Sequence, residues 1–304
     1  MAGVINTGSF SKALWPGINA WYGKAYDEWP VEHTSLFDQY TSRKAFEEDV
    51  GVSGFGLLQI KPEGQSISYD TEIQAYTTRY THTVYASGFI ITEEMFEDDQ
   101  YDVVGERRAK ALAFSVRQTQ ETVGTNVYNR AFNASYTGGD GVSMINSAHP
   151  NAAGGTWSNT LSVAANLSEA SLEQACIDIA RFTNDRGLKI QVTPKSIITA
   201  PENEFTLNRI LKSQYRVGTA NNDINALMSL GKFPDGVKIN HYLTSTTAWF
   251  IRTNAQDGLK HFVRKAPMFA EDNDFDTSNA KFKCSYRDSW GWTDPRAIYG
   301  SAGV

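Results

Sequence analysis

The sequence predicts an α+β fold, and three observations carry that prediction. One helical pattern runs unbroken through most of residues 88–132. Residues 46–87 alternate apolar and polar side chains with period two. From residue 168 onward shorter helical patterns alternate with strand-like runs, and residues 263–304 read as long strands.

Bulk properties bound what such a chain does. Its 304 residues suffice for one large or two moderate domains, each with a sizeable core. With 41% hydrophobic and 20% charged residues, the composition is that of a soluble folded protein. The net charge of −6 argues against a main task of gripping nucleic-acid phosphates, which takes a surplus of Lys and Arg. Cys176 and Cys284 form no CxxC pair and exclude a disulfide framework; Cys176 lies in a helical apolar pattern and is expected as a buried reduced thiol. No window approaches the ~18 apolar residues of a membrane span, and no signal-peptide layout opens the chain. A soluble, non-secreted protein is expected.

Residues 1–45 carry many rings (Phe10, Trp15, Trp21, Tyr22, Tyr26, Trp29, Phe37 and Tyr40) with weak periodicity. Pro16, Gly17 and Pro30 divide the stretch into short pieces. Ile18, Tyr22 and Tyr26 at spacing four allow a helix over 14–29, too interrupted to build its own core. Its rings must bury against the chain's own body or against a neighbouring chain. In residues 46–87, Pro62, Glu63 and Gly64 supply a turn between two strand-like runs, the second over 66–86. A two-stranded ribbon with few large aliphatic side chains is not stable alone in water, so it closes on its own protein or lies on another subunit. The GVSGFG run opens no helix, and no phosphate loop is expected there.

The long helix follows. Gly105, Ala109, Leu112, Val116, Thr119, Val123, Val127 and Ala131 share one narrow face; Arg107, Arg108, Lys110, Arg117, Gln118, Gln120, Glu121 and Arg130 fall mostly elsewhere. Glu93, Glu94, Glu97, Asp98, Asp99 and Asp102 stand at its start, where the helix dipole favours negative charge; a Mg²⁺ site is the weaker reading. No proline interrupts about eight turns, so the helix reads as a beam. Buried on one side only, it is expected to leave its charged side free.

Residues 133–166, rich in Gly, Asn and Ser, read as a flexible or extended connector. A helix over 168–187 starts at Ser168 or Ser171, has the stripe Leu172, Ala175, Cys176, Ile179 and Phe182, and stops at Gly187. Ile190, Val192 and residues 197–199 are extended, a helix runs from Pro201 through Leu211, and residues 214–236 form a polar loop. Strands are expected over 237–243 and 248–252. Near the end, Phe282, Cys284 and Tyr286 alternate with Lys281, Lys283 and Arg287, which fits a sheet with one wet face.

Chemistry is sparse. The chain has no Gly-x-Ser-x-Gly elbow, HExxH, Walker loop or Rossmann fingerprint. His33, His82, His149, His241 and His261 are scattered singly. Asp140 and His149 invite a catalytic or metal reading, but no second His or Cys lies at ligand spacing, and an ordinary loop is the expectation. A Ser–His–Asp set assembled in space stays open, since triads are recognised by geometry. Asp272, Asn273, Asp274 and Asp276 begin like a calcium loop, yet Thr277 and Lys283 stand where its glycine and bidentate glutamate belong. No catalytic, cofactor-binding or metal residue is assigned, no cofactor is expected, and the chain is not expected to be an enzyme.

The succession of arm, long β ribbon, long helix, mixed α/β region and returning strands resembles the major capsid protein of tailed double-stranded DNA bacteriophages. This is the Hong Kong 97-type fold, and the likeness is closest to the Mu-like major head subunit group. The segments that carry it, in order, are GFIITEEMFEDDQYD with the helix after it, DGVSMINSAHP, ITAPENEFTLNRILKS, AWFIRTNAQDGLKHFVRK, DNDFDT and DPRAIYGSAG. The resemblance implies an N-terminal arm (1–45), an E-loop β-hairpin (46–87) and a peripheral domain (88–159) with a spine helix (about 98–133). It further implies an axial domain (160–262) and returning strands of the peripheral domain (263–304). Hexamers and pentamers would form an icosahedral shell around the phage double-stranded DNA genome, contacted non-specifically. The shell belongs to the virion and is assembled in the host bacterial cytoplasm. Implied partners are a portal, a separate scaffolding protein, because no charged helical leader precedes the arm, and optionally decoration proteins; no membrane is involved. An encapsulin-like nanocompartment shell is the alternative. Lys61 is the ribbon's one lysine, and no cross-link is expected from it, since no partner asparagine or activating glutamate is identified.

Overall fold

A computed structural model describes residues 11–92, 94–95, 101–216, 223–274 and 279–304. Glu93, Glu97, Asp98, Asp99 and Asp276, with the 217–222 tip of the polar loop, lie outside the described residues, as does the side chain of Asp102. Helix α1 (Ser11–Glu28) runs through Pro16 and Gly17, which the sequence marks as breaks. A proline there removes one backbone bond, and the packing of the arm outweighs it. Tyr22 and Ala25 are buried with Ala109, Leu112, Ala113 and Val116 of the long helix α2 (Tyr101–Asn129) and with Phe282, Cys284 and Tyr286. Tyr22 stacks on Phe269 at 4.8 Å, and Trp29 meets Phe114 at 4.7 Å between ring centroids. Tyr22 and Phe37 of the arm therefore bury against the chain's own body, while Trp29 and Tyr40 stay exposed.

Strand β1 (Asp38–Thr41) begins the first sheet and runs parallel to β10 (Leu259–Asn273), which pairs with β11 (Ala280–Trp292). Strand β4 (Thr83–Ile91) completes the order β1-β10-β11-β4. Along β11, Phe282, Cys284 and Tyr286 are buried while Lys281 and Lys283 are exposed, so the expected wet face is present. The expected single strand over 66–86 is divided. Strand β2 (Phe46–Val52) pairs with β3 (Gln74–Thr81) as a separate ribbon, and His82 makes the break. Its buried ring sits between Ser42 Oγ (3.1 Å from Nε2) and Ser289 Oγ (3.0 Å from Nδ1), which turns the chain out of the ribbon into the first sheet.

The connector at 133–166 is neither flexible nor extended. Met144, Ile145, His149 and Asn159 are buried, because the Asn159 amide donates to Met144 O (2.9 Å), Pro295 O (3.2 Å) and Ile298 O (3.2 Å) and ties the loop to the tail. Within it the short strands β5 (His149–Pro150) and β6 (Thr156–Trp157) pair. Helix α3 (Glu169–Ala180) opens with a capping box between Ser168 and Ser171. It ends at Arg181, short of Gly187, which takes φ +77° in a turn where Asn184 accepts the Gly187 N–H. The second sheet adds β7 (Pro194–Thr199), β8 (Val237–Ile239) and β9 (Trp249–Thr253), with helices α4 (Glu204–Lys212) and α5 (Ala226–Ser229). Its order is β12-β9-β7-β8, so the final strand β12 (Ile298–Ser301) crosses from the returning strands into the second sheet. Tyr299 there joins Leu172, Ile179, Ile197, Leu207 and Trp249 in one core, and Ile298 joins Phe37, Tyr128, Met144 and Phe250 in the core between the sheets.

Candidate assembly surface

The second half of α2 is covered differently from what its pattern suggests. Thr119, Val123 and Val127 are half-buried, whereas Arg117, Gln120, Glu121 and Thr125 are buried. The arm supplies what these polar groups need. Tyr26 OH donates to Gln120 Oε1 at 2.7 Å, and the Arg117 guanidinium lies 4.0 Å from the Tyr26 ring centroid and donates to Tyr26 O at 3.3 Å. Glu121 accepts the backbone N–H of His33 (2.9 Å) and of Glu32 (3.2 Å), and His33 Nδ1 lies 2.7 Å from its Oε1. Thr125 donates to Asn240 Oδ1 at 3.2 Å. At Arg117, Gln120 and Glu121 the polar side of the beam is the seat of the chain's own arm, and Thr125 is taken by Asn240, while Arg107, Arg108, Lys110 and Arg130 stay exposed as the pattern suggests.

The ribbon is the open part. At its root Lys260 Nζ lies between Asp49 Oδ2 (2.7 Å) and Asp257 Oδ1 (2.8 Å), and Thr293 Oγ1 donates to Asp49 at 2.8 Å. Tyr80 OH lies 2.7 Å from the same Thr293 hydroxyl. Gly139 lets the body come close: a Cβ there would stand 2.5 Å from Thr78 Oγ1 and 2.9 Å from Thr77 O. Beyond Val52 the ladder ends. Leu58 and Ile60 are 98% and 95% exposed, Phe55, Leu57, Ile67 and Tyr69 are exposed too, and none joins a buried cluster. An apolar group of this kind, carried on a projecting ribbon, marks a surface made for contact.

Asp70 and Arg186 hold the ribbon from a second side. The Asp70 carboxylate accepts Gly56 N–H at 2.7 Å and Thr71 N–H at 2.8 Å, and Arg186 Nη1 donates to its two oxygens at 3.0 and 2.9 Å. The Gly56 N–H first, then Arg186 and Thr71, hold this carboxyl below the usual carboxylate range. Arg186 also donates to Thr71 O. Between this pin and the root runs a cleft of about 590 Å³, lined by Val50, Val52 and Tyr76 on one side and Gln191, Gln256 and Asp294 on the other. Neither Asp70 nor Arg186 carries a sequence signal, since 116 residues separate them.

Asp140 and His149 do come together, with Nδ1 of the ring 2.6 Å from Asp140 Oδ2 and Nε2 3.1 Å from Asn159 Oδ1. The ring is fully buried, and Trp157 stacks on it at 4.8 Å. Both nitrogens are engaged, and the nearby hydroxyls of Ser143 and Ser158 donate to backbone carbonyls at Ile145 and Thr160. This line of side chains braces a loop and holds no group placed to attack a substrate. His241 lies 2.6 Å from Glu32, and His261 lies between Gln39 and Asp288. Among the described residues no group of three His, Cys, Asp or Glu is placed to hold a metal ion, and no helix is long and apolar enough to cross a membrane. At the hairpin, Lys281 Nζ lies 2.5 Å from Asp274 Oδ2. Cys176 and Cys284 are free and buried; burial pushes the Cys176 thiol up to about 11.

The family described as "Phage capsid protein" has a sequence profile that matches residues 75–301. Among solved structures, the procapsid of bacteriophage JBD30 is 12% identical over 98% of this chain and 76% of its own, with a TM-score of 0.52. The structure from Microbacterium phage Oxtober96 is 9% identical over 90% of this chain and 91% of its own, at 0.51. The mature capsid of bacteriophage PhiM1 is 10% identical over 87% and 83%, at 0.52. At such identities the likeness is one of fold. No curated protein sequence matches the chain.

Proposed function

The chain belongs to the phage capsid protein family and has the Hong Kong 97-type fold of a major capsid protein, and from that premise we propose that it assembles as hexamers and pentamers into an icosahedral shell around double-stranded DNA. The observation that carries this reading is the ribbon. It presents Leu57, Leu58, Ile60 and Tyr69 to solvent and buries none of them in its own chain. Covering Leu58 and Ile60 on a neighbour is worth about 3–6 kcal/mol before the cost of association, at roughly 1.5–3 kcal/mol for each side chain. The same contact repeated head to tail closes a ring, as hexamers and pentamers require.

In this reading residues 1–45 are the arm and the ribbon is the E-loop, ending at His82 where the chain enters the first sheet. The first sheet with α2 forms the peripheral domain, and the second sheet, including β12, forms the axial domain. The virion is the place of the protein, as the family implies; assembly takes place in the host bacterial cytoplasm. A scaffolding protein, a portal and, where a phage uses them, decoration proteins are its partners. The net charge of −6 supports a container whose DNA is contacted non-specifically. The reading needs no catalysis, cofactor or metal. The family match lends the encapsulin-like alternative no preference.

Electron microscopy of the purified chain, alone and co-expressed with scaffold, tests the reading. Closed particles are expected; monomers alone at high concentration in both preparations overturn it. DNA inside particles from infected cells separates a phage head from a compartment filled with enzyme.

A further inference from the structure

Residues 53–73 have almost no structure of their own. The ladder between β2 and β3 ends at Val52↔Gln74, and past it the two sides are joined by Ser53 and Ile73, through a backbone bond of 3.0 Å and a Ser53 Oγ contact of 3.1 Å, and by the Gly56 N–H on Asp70. A segment held so loosely would point its tip in many directions. Yet a ring closes only if every subunit presents its tip in the same direction. Among the described residues, the polar contacts that hold 54–72 to the body of the chain are made by one side chain, Arg186, besides the Ser53 hydroxyl on the adjacent Gly54 O.

We infer that Arg186 is a positioning residue for shell assembly: its pairing with Asp70 and the Thr71 carbonyl fixes the direction in which the tip at 57–69 projects toward a neighbouring copy. This rests on the reading of the ribbon as the contact between subunits. The chemistry suits a fixed strut. Asp70 already accepts the Gly56 and Thr71 N–H groups, which join the two sides of the ribbon, so one carboxylate ties the ribbon to itself and to the body. Arg186 stands on the turn at 184–188, which Asn184 closes by accepting the N–H groups of Arg186 (3.0 Å) and Leu188 (2.9 Å), so the strut springs from a braced base. Its guanidinium engages carboxylate and carbonyl together, a planar match that lysine does not make. The leverage is large. From Asp70 to the turn at Pro62–Gln65 the chain reaches at most about 20 Å at roughly 3.3 Å per residue, so a swing of about 10° at the pin displaces the tip by about 3.5 Å. That is comparable to the reach of an apolar contact, about 4.0–4.5 Å.

The experiment compares Arg186→Ala, Arg186→Lys and Asp70→Asn with the unaltered chain, by thermal unfolding of the free subunit, amide hydrogen exchange and particle counting in micrographs. Arg186→Ala and Asp70→Asn are expected to leave the unfolding temperature within about 2 °C, because the pin touches no core. Exchange at the Gly56 and Thr71 amides, both bonded to Asp70, should rise at least ten-fold, and closed particles should fall at least ten-fold, with Arg186→Lys between. Particles formed as efficiently by both Arg186→Ala and Asp70→Asn, or unchanged exchange at the Gly56 and Thr71 amides, overturn the inference. A drop in unfolding temperature beyond that margin also overturns it, by making the pin a fold contact. If the unaltered chain forms no particles, the shell reading fails on its own, and the exchange data on free subunits still decide whether Arg186 orders the ribbon.

Discussion

Replacing Glu121 by alanine sets the sequence pattern directly against the structure. By helical period Glu121 lies off the apolar face and Thr119 lies on it. In the fold Glu121 is fully buried and Thr119 is half-exposed, its hydroxyl donating to Ser115 O at 2.7 Å. Removing the Glu121 carboxylate strands the buried His33 N–H and the half-buried Glu32 N–H, and leaves His33 Nδ1 without its partner at 2.7 Å. A buried group left unsatisfied costs about 1–3 kcal/mol, and partial relaxation of the arm brings three of them to about 3–5 kcal/mol in all. At roughly 2–3 °C per kcal/mol for a chain of this size, the unfolding temperature of the free subunit should fall by about 6–15 °C. Glu121→Gln, which keeps one acceptor oxygen, should cost about half as much, and Thr119→Ala less than about 0.5 kcal/mol. Circular dichroism melts of unassembled subunits measure all three. A loss below about 1 kcal/mol for Glu121→Ala, or a larger loss for Thr119→Ala, would refute the assignment of the arm to this seat.

Three further outcomes follow from the same contacts. Leu58→Asp combined with Ile60→Asp should shift subunit stability by no more than about 0.5 kcal/mol while abolishing closed particles; particles of normal shape in micrographs would remove the ribbon from the interface. Gly139→Val places side-chain atoms against Thr78 Oγ1 and Thr77 O, where a Cβ would already lie 2.5 and 2.9 Å away, and should cost about 1–3 kcal/mol, read as a lower urea midpoint. Burial lowers the pKa of His82 and of His261 below the ordinary histidine value. Between the folded and unfolded values the unfolded chain binds more protons, so stability rises with pH and this contribution is complete above about 6.5. The urea midpoint should therefore be lower at pH 5.5 than at pH 7.5, with the difference reduced in His261→Gln; equal midpoints for the unaltered chain would contradict it.

What the sequence conveys well here is local. The long helix shows in its own period, the wet face of β11 in strict alternation, and the start of α3 in Ser168 and Ser171, because each depends on residues within a turn or two of one another. Distant bonds leave no such trace. Gln120 is satisfied by Tyr26 across 94 residues and Glu121 by His33 across 88, so a polarity pattern that marks both as solvent-facing misreads the helix where the arm lies on it. The connector at 133–166 looked loose because Gly and Asn dominate it; a single Asn159 side chain, bonded to Pro295 and Ile298 across 136 and 139 residues, makes it part of the core. Strand β12 is too short to announce which sheet it joins. For the assembly surface, the lack of a core in residues 46–87 was readable and the pin at Asp70 and Arg186 was not.

These differences divide the chain by task. Part of the polar side of α2, at Arg117, Gln120 and Glu121, is used up inside the subunit by Tyr26, Glu32 and His33, while Arg107, Arg108, Lys110 and Arg130 stay exposed. The apolar tip of the ribbon is left unpartnered, carried past the end of its ladder and steadied through one guanidinium. The energies separate accordingly. A change at Glu121 orphans buried donors whatever the state of assembly, and so must appear in the melting of a lone subunit. A change at Leu58 removes apolar surface that a lone subunit leaves in water, and so must be invisible until subunits meet. A variant at either site that altered both properties together would mean that the arm and the ribbon are coupled in a way this arrangement of contacts does not provide.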